Sequence, residues 1–133
     1  MKPVTARITK ALNLGCQVNI ADNSGARIAR IVSVKRGKSV QGRQFSAGVG
    51  DWIKVSVREG LPEMKGNVFD AVVIRQKKPY RRLTGERICF YDNAAVLLKD
   101  EKGNPKGTII KGPVAREVSE RWSTVAKLAK TIV

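Results

Sequence analysis

Residues 52–58 alternate strictly between apolar and polar side chains, and this period of two constrains the fold more than any other feature of the chain. Every second residue from Ile53 to Val57 is a β-branched aliphatic, whereas Lys54 and Arg58 occupy the opposite parity. Because successive side chains of a β-strand point to opposite faces, the segment predicts a strand with one buried face and one basic, outward face. Such a strand is typical of an antiparallel sheet with one face on the core.

Further short apolar segments precede and follow this strand, with turn residues between them. Residues 17–21 and 26–35 lie on either side of the turn sequence Asp-Asn-Ser-Gly, and residues 68–74 are apolar nearly throughout. Arg30 interrupts the alternation of its segment, which predicts a bulge or a partly open face there. Many short strands spaced by turns favour a small closed or nearly closed β-barrel, since a parallel sheet needs long crossover connections.

The last third of the chain combines one more predicted hairpin with two short predicted helices. Residues 94–98 and 107–111 flank a turn, and Pro113 precedes a segment, 115–121, that is compatible with a helix. Four apolar residues near the C-terminus follow a helical spacing and predict a second short helix. They are Val125, Leu128, Ala129 and Ile132. Their stripe is interpreted either as part of the core or as a surface for a partner protein.

A length of 133 residues predicts a single domain, residues 1–133, because it allows one modest core. We divide this domain into a basic N-terminal extension (1–16), a barrel (17–111) with a basic ribbon at about 75–91, and a C-terminal helical region (112–133). No segment approaches the roughly 20 apolar residues of a transmembrane helix, and the N-terminus lacks the apolar region of a signal peptide. We therefore expect a cytoplasmic protein without a membrane partner.

The chain is strongly basic, with 26 Lys and Arg residues against 11 Asp and Glu residues and a formal net charge of +15. Solubility requires a net charge of only about 2 to 8, so the excess favours a polyanionic partner, nucleic acid first. The densest cluster lies between two apolar strands and predicts a hairpin with its tip at Thr84-Gly85. Its six cations are Arg75, Lys77, Lys78, Arg81, Arg82 and Arg87, which cannot be buried without partners. A polar loop adds a second group, Lys35, Arg36, Lys38 and Arg43.

The scarcity of aromatic residues indicates which nucleic acid is bound. The chain has two Trp, two Tyr and three Phe residues, which is few for a protein that reads single strands by stacking bases. Sequence-specific DNA binding would call for a recognition helix, and the best helical segment is C-terminal and apolar on one face. These observations favour folded RNA, recognised through phosphates, 2′-hydroxyls and shape.

Catalytic and metal-binding motifs are absent from the sequence. There is no histidine, and Cys16 and Cys89 are far apart, so we expect two small buried thiols and no zinc site or disulfide. The Gly-Lys-Ser at 37–39 lacks the glycine that a phosphate loop needs five residues earlier. We expect no catalytic residue, metal or cofactor. A free-standing RNA chaperone or RNA-processing protein remains the alternative, including a nuclease that uses Asp70 and Asp92.

Five sequence motifs spread over nearly the whole chain match those of one known family. They are ADNSGAR at 21–27, VGDWIKVSV at 49–57, AVVIRQKKPYRR at 71–82, FYDNAAVLL at 90–98 and KGTIIKGPVARE at 106–117. Together they resemble the universal large-subunit ribosomal protein fourteen family. The archaeal and eukaryotic branch of this family is resembled most closely, through the basic N-terminal residues 1–14 and the motif RQKKPYRR at 75–82.

This resemblance implies a mainly β fold, with a small five-stranded β-barrel, a projecting β-ribbon and two short C-terminal helices, and no enzymatic activity. It implies that both cation groups contact large-subunit ribosomal RNA. The other implied partners are neighbouring large-subunit ribosomal proteins, small-subunit RNA across an intersubunit bridge and translation initiation factor six, the last through the C-terminal region. The family usually places Asp, Asn or Ser where this chain has Thr84, so we expect a looser tip than a tight primed turn.

Overall fold

The computed structural model describes residues 2–37 and 39–133, so the predicted RNA-binding residue Lys38 lies outside the described residues. The elements in chain order are β1 (Ala6–Arg7), β2 (Leu12–Asn13), β3 (Gln17–Ile20), β4 (Ala26–Val34), β5 (Ser46–Ala47), β6 (Trp52–Gly60), β7 (Val68–Arg75), β8 (Tyr80–Arg82), β9 (Arg87–Ile88), β10 (Ala94–Leu97), β11 (Pro113–Val114), α1 (Arg116–Arg121), α2 (Ser123–Leu128) and β12 (Thr131–Ile132).

Five of these strands close into a barrel in the order β10, β3, β4, β6, β7. Four of the neighbouring pairs are antiparallel, and the pair of β10 with β3 is parallel. The alternating segment at 52–58 is β6, and its aliphatic residues Ile53, Val55 and Val57 are buried inside the barrel. The prediction of a mainly β chain with a five-stranded barrel and two short helices is therefore confirmed.

The apolar side chains form two cores, one on each face of β7 and β10. Ala71 and Val73 of β7 point into the barrel, whereas Val72 and Ile74 belong to a second, outer core under the C-terminal region. Trp122, which follows α1, packs in this outer core. Strands buried on both faces have nearly continuous apolar sequences, which explains why 68–74 lacks the alternation of β6.

The irregularity predicted around Arg30 is present in the pairing of β4 with β6. The register shifts between Ala26 and Ile28, between Ile28 and Ala29, and again further along the strand. Arg30 is exposed on the outer face of the barrel. These shifts allow the strand to keep its small and branched residues inward although its sequence does not alternate.

The second predicted hairpin forms only in part, because residues 107–111 are not a strand. Ile110 makes a single antiparallel bridge to Asp22. The Asn23 side-chain oxygen instead accepts hydrogen bonds from the backbone N–H groups of Thr108 (2.8 Å) and Ile109 (3.3 Å). A side chain thus satisfies donors that would otherwise have joined a strand ladder.

The C-terminal helical stripe is shorter than predicted. Helix α2 ends at Leu128, because Ala129 has an extended backbone (φ −72°, ψ 124°). Val125 is buried in the outer core as expected, but Ile132 lies in β12, is 47 % exposed and pairs in parallel with β11. The prediction that Ile132 shares a helical face with Val125 is therefore wrong.

The N-terminal extension is attached to the domain by two short strand pairings. Strand β1 pairs with β8 of the predicted ribbon, and β2 pairs with β5. The expectation of two buried thiols is wrong, since Cys16 is half-buried and Cys89 is exposed. In the described part of the chain, no helix is both long and apolar enough to cross a membrane.

Candidate nucleic-acid interface

The basic segment folds into a three-stranded sheet in the order β1, β8, β9, which we call the ribbon. Its inner face carries Tyr80 and Arg82 of β8, together with Ala6 opposite Arg82 and Ile88 opposite Tyr80. Tyr80 is completely buried in the outer core. The ribbon is therefore fixed to the barrel by one of its faces, and the other face is free to meet a partner.

Three arginines form a row across the outer face of the ribbon. Arg7 of β1 lies opposite Arg81 of β8, and Arg81 lies opposite Arg87 of β9. All three are exposed, and none forms an ion pair among the residues that the structure describes. Side chains directly opposite each other in an antiparallel pair are about 5 Å apart at Cβ, where like charges repel. The arginine row is consequently an exposed line of three positive charges.

The ribbon tip is a three-residue loop rather than a tight two-residue turn. The Arg82 N–H donates to the Glu86 carbonyl (2.8 Å), and the Gly85 N–H donates to the Arg82 carbonyl (2.9 Å). Gly85 adopts φ +96°, so the positive angle falls on the glycine and Thr84 avoids it. The tip lies at Thr84-Gly85 as predicted, and its looser geometry suits a β-branched residue.

Arg82 is one of the predicted RNA-binding cations, yet it points inward and is only 7 % exposed. Its Nε donates to Glu117 Oε1 (2.7 Å), one of its terminal nitrogens donates to the Val133 carbonyl (2.6 Å), and the Tyr80 hydroxyl donates to Glu117 Oε2 (2.7 Å). Burial raises the pKa of Tyr80, and the bond to Glu117 adds to this rise. Burial alone would lower the pKa of Arg82, but its bonds to Glu117 and Tyr80 raise it above the ordinary value.

Arg75 is also held by groups of the protein itself and lies at the end of the barrel strand β7. Its guanidinium donates to both carboxylate oxygens of Asp92 (2.9 and 3.2 Å) and to the carbonyls of Lys111 and Pro113. The hydrogen bond from Arg75 lowers the pKa of Asp92. Arg75 and Arg82, two of the six predicted RNA-binding cations, are therefore buried, and each is paired with a carboxylate of the protein itself.

Lys77 and Lys78 are exposed where the chain leaves β7 for the ribbon. Gln76 fixes this bend from inside, since its buried amide donates to the carbonyls of Thr9 and Lys78 and accepts from the Val49 N–H. Both lysines are thus exposed between the barrel strand β7 and the ribbon strand β8.

Two members of the second predicted cation group, Lys35 and Arg36, lie beside the N-terminal extension. Lys35 places its ammonium 4.7 Å from the centre of the Trp52 ring, and Arg36 is exposed with φ 56°. Both line a cleft of about 370 Å³ that Ala6 of β1 also lines. Arg43 is exposed and donates to the side chain of Gln41 (3.2 Å). Because β1 contributes to both places, it connects the loop cations with the arginine row.

Sequence reasoning missed Arg7, which completes the row. A two-residue strand carries too little pattern to be recognised, and the other cations of the N-terminal extension conceal this one. The signal that could have revealed it is the alternation of Val4, Ala6 and Ile8 with polar residues.

The described residues provide no group of three His, Cys, Asp or Glu side chains that could hold a metal ion. Asp92, one of the two carboxylates that a nuclease would need, is bound to Arg75. Asp92 pairs with Arg75 and Glu117 pairs with Arg82, so both carboxylates neutralise buried arginines of this region.

The sequence matches the family described as ribosomal protein L14p/L23e across residues 11–133. It is 53 % identical over 133 residues to large ribosomal subunit protein uL14 of Nanoarchaeum equitans, with 100 % of both chains covered. It is 50 % identical over the same length to the uL14 protein of Methanothrix thermoacetophila and 49 % identical to that of Halobacterium salinarum, again with full coverage. All three relatives are archaeal, which confirms the archaeal and eukaryotic branch that the sequence motifs indicate.

Proposed function

Because the chain belongs to the ribosomal protein L14p/L23e family, we propose that it binds ribosomal RNA of the large subunit through the ribbon and the neighbouring basic loop. The protein is a structural constituent of the large ribosomal subunit and not an enzyme. Membership of the family also places it in the cytoplasmic ribosome, among ribosomal RNA and other ribosomal proteins.

The arginine row is the observation that carries this proposal. Folding brings Arg7, Arg81 and Arg87 side by side on neighbouring strands, which are about 4.8 Å apart. A row of like charges that forms no ion pair among the described residues costs stability, so it points to a partner that supplies negative charge along a line. Phosphates of an RNA backbone do this, and the planar guanidinium binds each of them by two parallel hydrogen bonds.

The aromatic side chains support recognition of folded RNA. Tyr80, the aromatic residue at the centre of the basic segment, is buried against Glu117 and offers no ring to a base. Tyr91 is fully exposed and Phe45 is half-buried, which is a small supply for a stacking platform. The ribbon therefore acts on phosphates, 2′-hydroxyls and groove shape.

We place two further partners in the same proposal. The protein lies at the face that meets the small subunit and contacts small-subunit RNA across an intersubunit bridge, and translation initiation factor six binds its C-terminal region. The partly exposed Ile132 and Val133 support a protein contact there, since they lie beside the outer core without being covered.

The proposal is tested by removing the arginine row and measuring the salt dependence of RNA binding. The slope of log K against log salt concentration is negative, and we expect it to be shallower by roughly 2 to 3 in the triple variant R7Q/R81Q/R87Q. The reason is that each neutralised phosphate contributes about 0.7 to 0.9 to its absolute value. Binding to large-subunit ribosomal RNA is measured by filter retention over a series of salt concentrations. Circular dichroism checks that the variant is folded.

The matched control is the triple variant K99Q/K102Q/K130Q, which removes the same charge from exposed positions outside the ribbon and the loop. We expect its slope to stay close to that of the unchanged protein. Equal slopes for the two triple variants would contradict the proposal, since a general effect of net charge would then explain the binding.

A further inference from the structure

The outer face of the barrel carries a row of three polar side chains and one valine. Gln17 of β3 lies opposite Arg30 of β4, Arg30 lies opposite Ser56 of β6, and Ser56 lies opposite Val68 of β7. Directly opposed residues share one face of a sheet, so these four side chains form a line across four strands. Arg58, two residues after Ser56 on the same strand, lines the same groove as Arg30 and Ser56. We call this surface the barrel wall.

The two arginines of the barrel wall have no carboxylate partner. Among the described residues, the ion pairs involve Lys10, Arg75, Arg82 and Arg121 as cations, and neither Arg30 nor Arg58 takes part. Both are exposed, and they line a shallow groove of about 430 Å³ together with Ser56, Val32 and Val68.

Gly15 helps to hold one of these arginines in place. It has φ +87°, and a Cβ at this position would lie 3.4 Å from a terminal nitrogen of Arg30. The guanidinium therefore lies against the backbone of Gly15, which restricts its motion while leaving it accessible. An arginine positioned in this way loses less conformational entropy when it binds an anion.

The barrel wall and the ribbon lie over different parts of the barrel. The ribbon is anchored through Tyr80 in the outer core, which covers Val72 of β7 and Val96 of β10. The barrel wall is centred on β4 and β6, where Arg30 and Arg58 are uncovered. No residue of the ribbon lines the groove of the barrel wall.

We propose that the barrel wall binds the sugar-phosphate backbone of a second RNA segment, separate from the segment that the ribbon binds. This inference rests on the chain's being an RNA-binding protein, and it adds a site to that function. With two sites, the protein ties two parts of the ribosomal RNA together, and each contact raises the effective concentration of the other.

The chemistry of the barrel wall favours RNA over an acidic protein. Two guanidiniums, a serine hydroxyl and a glutamine amide are donors for phosphate oxygens and 2′-hydroxyls. Val32 and Val68, which are 49 % and 55 % exposed, offer apolar contact to ribose. The groove has no aromatic side chain among its lining residues, whereas protein interfaces rely on Trp and Tyr as anchors.

Hydroxyl-radical cleavage directed from single cysteines tests the inference. One variant, C16S, keeps the exposed Cys89 next to the ribbon strand β9; the other, V68C in the background C16S/C89S, places a thiol on the barrel wall. An iron chelate attached to each thiol cleaves the RNA nearby when the protein is bound to large-subunit ribosomal RNA. We expect two different RNA segments to be cut.

A further variant tests whether RNA cleavage from the thiol of V68C depends on Arg30 and Arg58. In R30Q/R58Q, we expect cleavage from V68C to disappear at saturating protein, while cleavage from Cys89 remains. The salt slope of RNA binding should fall by about 1.4 to 1.8 if each arginine meets one phosphate. The double variant K99Q/K130Q, with the same loss of charge at exposed positions, should change neither result.

The outcomes separate this inference from the proposed function. Cleavage from Cys89 alone, or cleavage of the same segment from both thiols, would overturn the second site and leave the ribbon proposal standing. No cleavage from either thiol would overturn both. Unchanged RNA binding and an unchanged salt slope in R30Q/R58Q would also overturn the second site, as expected if the barrel wall met an acidic protein instead.

Discussion

Glu117 joins the ribbon to the C-terminal region at the scale of single residues. It lies in α1, is buried, and accepts hydrogen bonds from Arg82 Nε and the Tyr80 hydroxyl. These three polar groups satisfy one another in a place where an unpaired charge would be expensive. The network therefore holds the inner face of the ribbon in one position relative to α1, so that the arginine row points outward.

The first prediction concerns this network. We expect Glu117→Gln to lower the free energy of unfolding by about 3 kcal/mol, because it leaves the charge of Arg82 buried without a counter-ion. Urea unfolding measures the change. The control is Glu101→Gln at an exposed position, for which a change within about 0.5 kcal/mol is expected. A loss for Glu117→Gln no larger than for the control would show that the pair does not hold the ribbon.

The second prediction concerns the pair of Arg75 and Asp92 and its dependence on pH. The pKa of Asp92 is lower in the folded protein than its ordinary value of about 3.9, so its contribution is fully present above that pH and is lost as pH falls through the folded-state pKa. We expect the stability difference between the unchanged protein and Asp92→Asn to shrink between about pH 6 and about pH 3. A difference that stays constant over this range in urea unfolding would contradict the ion pair.

For single residues, the sequence shows which side chains are cationic, but it does not show whether each side chain points into the protein or toward solvent. The prediction that six clustered charges require partners is sound, yet the partners of Arg75 and Arg82 are 17 and 35 residues away in sequence. Whether an arginine points inward depends on the register of its strand and on which carboxylate the fold brings beside it. Neither is visible before the strands are paired.

The two faces of the ribbon have different surroundings. Its inner face packs through Tyr80, and its outer face presents Arg81 between two other arginines. Under the proposed function, a central arginine in such a row is unfavourable for the free protein and favourable for the complex with RNA. Stability and affinity should therefore respond in opposite directions to its removal.

The third prediction follows from this opposition. We expect Arg81→Gln to raise the free energy of unfolding by about 0.2 to 1 kcal/mol, since it removes two like-charge neighbours, and to weaken binding to large-subunit ribosomal RNA. Urea unfolding and filter retention measure the two effects. Lys99→Gln controls for the change in net charge. If Arg81→Gln lowered both stability and affinity, the row would be a structural feature rather than an RNA-binding one.

The fourth prediction concerns the ribbon tip. Gly85 has φ +96°, and a Cβ added to it would have no heavy atom within 4 Å, so a side chain there meets backbone strain but no steric contact. We expect Gly85→Ala to destabilise the protein by about 1 to 2 kcal/mol, whereas Thr84→Ala, one residue away without a positive φ, should have little effect. Equal effects in urea unfolding would mean that the tip does not have this conformation.

Elements with a strong period were predictable, and elements fixed by a single contact were not. Strand β6 follows from its alternation alone, and the irregular pairing of β4 follows from Arg30. Strand β1 is only two residues long, and it forms because it pairs with the edge of β8. Helix α2 ends at Leu128 because β12 pairs with β11, a long-range contact that helical spacing cannot indicate.

The whole molecule is a barrel with two cores and a large excess of positive charge, +15 over 133 residues. The outer core attaches the ribbon and the C-terminal region to β7 and β10, and the arginines of the arginine row and of the barrel wall are exposed. Such a charge destabilises the free protein through self-repulsion and is balanced by the ribosomal RNA. The family resemblance covers the whole chain, and the charge distribution explains why this fold suits the large subunit.

The most direct test of this account is sedimentation of the tagged protein with ribosomal particles from cells. We predict that the unchanged protein is found with large subunits in equimolar amount and remains there after a high-salt wash, while R7Q/R81Q/R87Q is released by the same wash. A protein found mainly in the free pool, as an RNA chaperone or processing protein would be, would contradict the account. So would a triple variant that stayed on the large subunit as firmly as the unchanged protein.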